Sequence, residues 1–293
     1  MGFFVEDEIS SQPACWRQAA SMAPALAEEL RAPGERVGFV GCGTSWFMAQ
    51  VIASWRESGG YGESDAFSAS EGPDRAYDRI VAITRSGTTT EVVELLRELR
   101  GLVPTRVVLG DMSTSAAQLA DGVYDLSFAD EQSVVQTRFA TSTLALFRAA
   151  YGTDVEPLAL AAEAELAEPL PQGWAEAEQV SFLGRGWTVG LAHEAALKYR
   201  ETSSSWAESY PAMDYRHGPI SVAAPGRLVW MFGTPPAGLA EDVAATGATF
   251  ITDDRDPVVQ LVRAQRVAVA RAALLGVDPD SPRHLTRSVV LPA

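Results

Sequence analysis

The chain has 293 residues, of which 47% are hydrophobic and 21% are charged, and its formal net charge is −15. This length allows one large domain or two medium-sized ones, and the composition is ordinary for a globular protein. The acidic balance argues against a nucleic-acid partner, because no cluster of Lys and Arg can neutralise a phosphate backbone. No apolar run approaches a membrane span, and the N-terminal segment carries acids where a signal peptide is basic, so we expect a cytoplasmic protein without membrane contact.

Cysteine and histidine usage excludes two further classes. The two cysteines are too few for a disulfide framework, which agrees with a reducing compartment. The three histidines form no His-x-x-x-His pair, and no Cys-x-x-Cys is present. We therefore expect no metal site.

The first half of the chain alternates strands and helices. Apolar, β-favouring runs predict buried strands at 36–40, 79–84, 105–110 and 122–128, with a short one near Asp65. Helical patterns are present at 46–58, at 91–100 and from about Thr114. Strand, glycine turn and helix in alternation are typical of a doubly wound parallel sheet.

The same alternation returns after a change of composition. Residues 153–173 are rich in Ala, Glu, Leu and Pro, which indicates a linker that contains a helix. The later strands are predicted within 179–187, 227–233 and 247–252, and the later helices from about 188 to Pro211, near Glu241 and at 257–275. Both halves begin with a strand that enters Gly-x-Gly and a helix, which suggests a duplicated domain.

These patterns predict an α/β protein with two doubly wound parallel-sheet domains and helices on both faces. The predicted boundaries are a helical lead-in at 1–34, a first domain at 35–152, a linker at 153–175 and a second domain at 176–293. Neither Gly-x-Gly continues to a third glycine, because the positions concerned hold Trp46 and Val189. A nicotinamide or flavin site is therefore disfavoured, and we expect no cofactor.

Two hydroxyl-rich loops lie where predicted strands end and helices begin. The first contains Thr44 and Ser45, and the second runs from Thr84 to Thr90. The carboxyl ends of parallel strands form the ligand crevice of open α/β sheets. Helix N-termini and short hydroxyls can hold a phosphate there with little help from basic side chains. Helix capping by Ser and Thr is the alternative explanation of each loop.

The segment at 194–219 carries the most reactive set of side chains. Glu194, Lys198 and Glu201 recur at i, i+4 and i+7 and therefore share one face of a helix, and His217 follows in a His-Gly-Pro turn. A carboxylate, an ammonium and an imidazole are the groups needed to move protons between adjacent sugar carbons. The alternative is a solvated helix face with a Glu–Lys pair, in which His217 is only a turn residue.

Taken in order, the motifs of this chain resemble those of the double-SIS (sugar isomerase) family. That family includes the isomerase half of glucosamine-6-phosphate synthase and stand-alone relatives of the AgaS and Amadori-deglycase type. The matching segments are EISSQPACWR at 8–17, GCGTS at 41–45, TRSGTTTE at 84–91, EQSVVQTRFATSTL at 131–144, FLGRG at 182–186, the segment at 194–219 and DPDSPRHLTRSVVLP at 278–292. The resemblance covers nearly the whole chain and implies two flavodoxin-like SIS domains.

The resemblance also implies enediol-type chemistry on a sugar 6-phosphate, and it assigns roles to residues. Glu201 would be the base between C1 and C2, Lys198 would lie at the sugar oxygens, and Glu194 would pair with Lys198. His217 would assist ring opening from the neighbouring subunit of a homodimer that shares its active sites. The positions that match substrate-binding residues are Gly43, Thr44, Ser45, Thr84, Arg85, Ser86, Gly87, Thr89, Val134, Gln136 and Arg287.

Three of these positions depart from the synthase. Arg85 stands where it has glutamine, Gln136 replaces a serine, and Arg287 replaces a lysine. Arg85 either helps to hold the phosphate or pairs with Glu91 on the surface. Arg287 keeps a charge but cannot form a Schiff base. The synthase's glutaminase region has no counterpart, so we expect no glutaminase activity.

Two classes of function follow from the sequence. The first is an enzyme, either an aldose–ketose isomerase or a deaminase or deglycase that acts on a 6-phosphorylated amino sugar. The second is a sugar-phosphate sensor that binds without turnover. The presence of both Glu201 and His217 favours the enzyme.

Overall fold

The computed structural model describes residues 2–292 and contains two parallel β-sheets with helices packed against them. The first sheet has the order β2-β1-β3-β4-β5 and consists of β1 (Val37–Gly41), β2 (Ser64–Ser68), β3 (Arg79–Thr84), β4 (Thr105–Leu109) and β5 (Gly122–Asp125). The second has the order β7-β6-β8-β9 and consists of β6 (Gln179–Gly184), β7 (Trp206–Pro211), β8 (Leu228–Met231) and β9 (Thr249–Ile251). The predicted α/β class with parallel sheets is confirmed.

Ten α-helices accompany the strands within these residues. They are α1 (Phe4–Ser10), α2 (Gln12–Leu30), α3 (Thr44–Ser58), α4 (Thr90–Leu99), α5 (Ser115–Leu119), α6 (Arg138–Ala150), α7 (Glu156–Ala167), α8 (Thr188–Ser203), α9 (Leu239–Ala245) and α10 (Pro257–Leu275). Short 3₁₀ turns lie at Ser127–Ala129, Asp214–His217 and Pro219–Val222. None of the helices described is long and apolar enough to cross a membrane.

Alternate residues of a strand point to opposite sides of its sheet. Both faces of each sheet are covered by helices. In the first sheet Phe39 and Val81 join a core formed with α2, α3 and α6, whereas Ala82 packs towards α4. In the second sheet Phe182 joins that same core beside α8 and α10, whereas Leu183 packs towards α9. One hydrophobic core is therefore shared by the two sheets and fixes α8 against α3.

The sequence missed one strand and overextended one helix. The helical pattern was expected to continue to Pro211, but α8 ends at Ser203, and Ser204 adopts a left-handed conformation with φ 53°. Residues 206–211 instead form β7, which pairs in parallel with β6 at the sheet edge. This edge strand has a weak sequence signal because its sequence, WAESYP, contains no continuous apolar run and ends in proline, so pairing with β6 decides its conformation.

Candidate functional site

A cleft of about 170 Å³, here called the first cleft, opens at the carboxyl end of the first sheet. Its walls come from the loop after β1, the start of α4, the segment before α6, one face of α8 and the C-terminal tail (residues 285–292). The predicted site residues that line it are Gly43, Thr44, Thr89, Val134, Gln136, Lys198, Glu201 and Arg287. Residues scattered over most of the chain therefore meet in one cleft.

The loop after β1 brings α3 unusually close to the strand. A Cβ at Gly41 would lie 2.6 Å from Ser45, so only glycine permits this approach, and Gly43 has φ 54°. Thr44 and Ser45 are buried in the first turn of α3. The Thr44 hydroxyl donates to Glu194 Oε1 at 3.3 Å, which links this loop to α8 of the second half.

The hydroxyl loop (residues 84–90) is partly held by its own side chains. Thr84 Oγ1 accepts from the Gly87 N–H at 3.2 Å, and Ser86 Oγ accepts from the Thr88 N–H at 3.3 Å. Thr84 and Ser86 are buried, whereas Thr89 lines the first cleft. The capping explanation thus accounts for part of this loop, and the position of Thr89 leaves a hydroxyl at the cleft.

Arg85 does not form the surface pair with Glu91 that was one expectation. Its side chain is 1% exposed, and its guanidinium lies 3.6 Å from the buried Glu131 carboxylate. It donates to the backbone carbonyls of Ser133 at 2.9 Å, Val134 at 3.2 Å and Arg287 at 3.0 Å. Arg85 therefore ties the hydroxyl loop to two other walls of the first cleft.

Two carboxylates that the sequence analysis did not single out complete this buried network. Glu131 accepts from the Arg138 N–H at 2.7 Å at the start of α6. Glu8 of α1 accepts from the Gln132 N–H at 2.6 Å and from the Ser133 N–H at 3.1 Å. Both lie in segments that carry the family resemblance, but an isolated acid in such a segment gives no signal of burial.

The solvated helix face considered for α8 is wrong. Glu194 and Lys198 are 0% and 2% exposed, and Lys198 lines the first cleft together with Glu201. Lys198 Nζ forms its close contact with Glu201 Oε2 and lies 3.7 Å from Glu194 Oε1. The expected pairing of Lys198 with Glu194 is therefore the weaker of its two ion pairs.

Burial changes the protonation behaviour of Glu194. It raises the pKa of Glu194 to about 8, although the nearby Lys198 ammonium opposes the shift. Burial alone would lower the pKa of Lys198, but the neighbouring carboxylates outweigh it and hold this pKa above its ordinary value. Near neutrality Glu194 is therefore largely protonated, and the Lys198 charge is directed at Glu201.

The buried Oε1 of Gln136, a residue that lines the first cleft, has no hydrogen-bond partner within residues 2–292. Buried polar atoms are normally hydrogen-bonded, and an orphaned one beside a cleft indicates a missing donor. Sugar hydroxyls are donors of the kind that Gln136 lacks.

The tail lies across the hydroxyl loop, and an ion pair with Asp130 holds the partly exposed Arg287 side chain. The Arg287 guanidinium donates to both Asp130 carboxylate oxygens, at 2.6 and 2.7 Å. The Ser288 hydroxyl bonds that of Thr88 at 2.8 Å. The charge of Arg287 is therefore already matched by Asp130, although its side chain borders the first cleft.

His217 is not brought to the first cleft of its own chain. It ends the 3₁₀ turn Asp214–His217, beyond β7 of the second sheet, and its side chain is exposed. No group of three or more His, Cys, Asp or Glu side chains among the described residues could hold a metal ion.

No protein-family model matches the chain. It is similar to the glutamine–fructose-6-phosphate aminotransferases (isomerizing) of Xylella fastidiosa, at 26% identity, and of Caulobacter vibrioides, at 29% identity. Each match covers 98% of this chain but only 59% of the relative, so the chain spans little more than half the length of these proteins.

Three solved structures show the same fold. Glucosamine-6-phosphate deaminase from Thermotoga maritima has a TM-score of 0.78 at 24% identity and covers 98% of this chain and 99% of its own. Tagatose-6-phosphate ketose/aldose isomerase from Escherichia coli has a TM-score of 0.79 at 20% identity, with 99% and 97% covered. The C-terminal domain of the Francisella tularensis glucosamine-fructose-6-phosphate aminotransferase has a TM-score of 0.76 at 21% identity, with 96% and 99% covered. These likenesses confirm the resemblance given by the sequence motifs.

Proposed function

We propose that this chain is a phosphosugar enzyme that transfers a proton between C1 and C2 of a sugar 6-phosphate or an amino-sugar 6-phosphate. The reaction is an aldose–ketose isomerisation, or the deamination or deglycation of a ketosamine phosphate. The observation that carries the proposal is the first cleft, where Glu201 and Lys198 face the hydroxyl-bearing walls of the other half. The relatives by sequence and by fold act on such substrates according to their names.

Glu201 is the base in this proposal. Its carboxylate borders the first cleft beside the Lys198 ammonium, where it can accept a proton from a bound sugar. Removal of the proton next to the carbonyl places negative charge on the sugar oxygen. The Lys198 ammonium stabilises that charge, because it is buried and already fixed in position.

Glu194 supports this arrangement without exchanging the substrate proton. Because its pKa is raised to about 8, it is mostly neutral when the enzyme works near neutrality. A neutral Glu194 does not compete with Glu201 for the Lys198 charge. Its link to Thr44 at 3.3 Å fixes α8 relative to the loop after β1.

The 6-phosphate is assigned to the hydroxyl loop and the start of α4. Thr84, Ser86 and Thr89 supply hydroxyls there, and α4 supplies the positive end of its dipole. Ser45 is assigned to a sugar hydroxyl, and Gln136 to another through its unpartnered Oε1. Arg85 acts on this site through the walls that it holds and makes no phosphate contact itself.

We further propose two SIS domains with the boundaries given above and a homodimer in the cytoplasm. The exposed position of His217, outside the first cleft, supports a role in the site of a partner copy. In that role its imidazole assists ring opening of the sugar. A chain that remains monomeric at every concentration in light scattering would contradict the shared site.

The test measures exchange of substrate hydrogen for solvent deuterium and does not require net conversion of the substrate. The purified chain is incubated in D₂O with fructose 6-phosphate, tagatose 6-phosphate or glucosamine 6-phosphate, and deuterium at C1 and C2 is followed by NMR. We expect exchange with at least one of them, abolished in Glu201→Gln and kept in Glu28→Gln, an exposed glutamate on α2. Binding of a sugar phosphate without any exchange would contradict the enzyme and identify a sensor.

A further inference from the structure

A second crevice, of about 500 Å³, opens at the carboxyl end of the second sheet. It lies among the residues that follow β6, β8 and β9 and shares no residue with the first cleft. The chain leaves β6 towards β7 on one side, whereas β8 lies on the other side. This reversal of strand order is the place where open α/β sheets bind ligands, and the volume is in the usual range of about 300–1,000 Å³.

The backbone around the second crevice repeats that of the first cleft. A Cβ at Gly184 would approach the first turn of α8 to 2.3 Å, as one at Gly41 would approach α3 to 2.6 Å. Gly186 has φ 57°, close to the φ of 54° at Gly43. Both halves therefore present the same strand–turn–helix cradle to a ligand.

The side chains of the second crevice do not repeat the phosphate-binding pattern. The turn after β8 reads Phe-Gly-Thr-Pro at 232–235, with one hydroxyl where the first half has a run of them at 84–90. Three aspartates and two arginines line the crevice. This acidic excess disfavours a phosphate dianion.

Most charges of the second crevice are already matched. Asp253 accepts from Arg263 at 2.9 Å, and Asp256 accepts from Arg148 at 2.8 Å while it caps α10. Arg255 is paired with glutamates at the end of α7. Asp253, Arg255 and Asp256 line the crevice, and their charges are already paired within the chain.

One cationic and one anionic side chain of the second crevice have no charged partner among the described residues. Arg185 and Asp254 are exposed in the crevice and form no side-chain hydrogen bond or ion pair within the described part of the chain. Trp187 forms the wall beside them, and its ring is fixed by Trp55 at a centroid distance of 5.2 Å and by the guanidinium of Arg148 at 5.8 Å. The crevice thus offers a guanidinium, a carboxylate and an apolar wall.

We propose that the second crevice binds a free α-amino acid. The ligand carboxylate pairs with the planar guanidinium of Arg185, which suits carboxylate geometry, and the ligand ammonium pairs with Asp254. The ligand side chain packs on Trp187. A zwitterion carries one charge of each sign to pair with these two side chains. Because its net charge is zero, it leaves the net charge of the crevice unchanged. This site is independent of the sugar-phosphate function proposed for the first cleft.

The test is isothermal titration of the wild-type chain with each standard L-amino acid, with inorganic phosphate and fructose 6-phosphate as comparison titrants. We expect at least one amino acid to bind with a Kd of about 1 mM or tighter. Arg185→Gln and Asp254→Asn each weaken that binding by about tenfold or more, because each removes a charged hydrogen-bond partner.

Two control variants separate the sites. Glu201→Gln, in the first cleft, and Arg97→Gln, an exposed arginine on α4, leave amino-acid affinity unchanged. Absence of binding by every amino acid would overturn the proposal, as would binding that both Arg185→Gln and Asp254→Asn leave intact. Phosphate binding that is lost in Arg185→Gln would show that the ligand class is wrong.

Discussion

The carboxyl ends of the two sheets have the same backbone but different chemistry. Both present a strand, a glycine with φ near 55° and a helix N-terminus. At the first sheet, α8 from the other half and the tail line the cleft together with the loops, and Glu194 and Lys198 are buried there. At the second sheet, the unpaired side chains of Arg185 and Asp254 are exposed in the crevice. The strand–turn–helix backbone is a property of the fold, whereas the burial of charged side chains depends on the element packed beside it.

The largest contrast is expected for Glu201, the proposed base in the first cleft. Glu201→Gln should lower turnover by about two to four orders of magnitude, the usual share of a general base, while sugar-phosphate binding remains. Glu194→Gln should cost less, because its buried, mostly neutral side chain is already close to an amide in charge. Steady-state kinetics of both variants check this, and an equal loss at both glutamates would mean that the roles are misassigned.

The next contrast compares an arginine from each region. Arg85→Gln should lower the free energy of unfolding by about 3–5 kcal/mol, because it leaves the buried Glu131 without its charge partner. Arg185→Gln, at the exposed end of the second sheet, should change it by less than about 0.5 kcal/mol. Urea denaturation measures the free energy of unfolding of both variants. Equal stability of the two variants would show that the Arg85 network does not hold the walls of the first cleft.

A smaller effect is expected from single hydroxyls. Ser86→Ala should weaken sugar-phosphate binding by about 1–3 kcal/mol, the range for a hydrogen bond to a charged group. Thr234→Ala, at the turn after β8, is the matched control and should leave this affinity unchanged. Calorimetric titration with fructose 6-phosphate measures the affinity of both variants. If Ser86→Ala and Thr89→Ala both bind like the wild type, the phosphate does not lie at the hydroxyl loop.

The pH dependence of stability should report the burial of Glu194. Its pKa in the folded chain is about 8, above the ordinary 4.5, so the folded state binds more protons than the unfolded state between these values. Stability should therefore fall as pH rises from about 4.5 to 8. Burial also raises the pKa of Glu131, which acts in the same direction. The melting temperature of Glu194→Gln should decline less over this range, and an unchanged slope would contradict the assignment.

Local sequence patterns predicted the parts of the fold that local physics decides. The apolar strands β1, β3, β4 and β6 follow from continuous β-favouring runs, and the shared face of Lys198 and Glu201 follows from helical spacing. The strand β7 could not be predicted in this way, because its conformation depends on pairing with β6.

Long-range burial decided the rest of the candidate site. The hydroxyl loop gave no sign that Arg85 turns inward, since its partners Glu131 and Val134 lie far away in sequence. The raised pKa of Glu194 likewise depends on packing of α8 against α3 across the two halves. Spacing on one helix predicts which side chains share a face but not whether that face is buried.

The most direct test of the account is the crystal structure of the Glu201→Gln variant with fructose 6-phosphate. We predict that the phosphate lies at the hydroxyl loop within hydrogen-bond distance of Thr89, and that C1 and C2 lie beside position 201 and Lys198. A sugar phosphate bound in the second crevice, or one in the first cleft with its C1 and C2 turned away from α8, would contradict it.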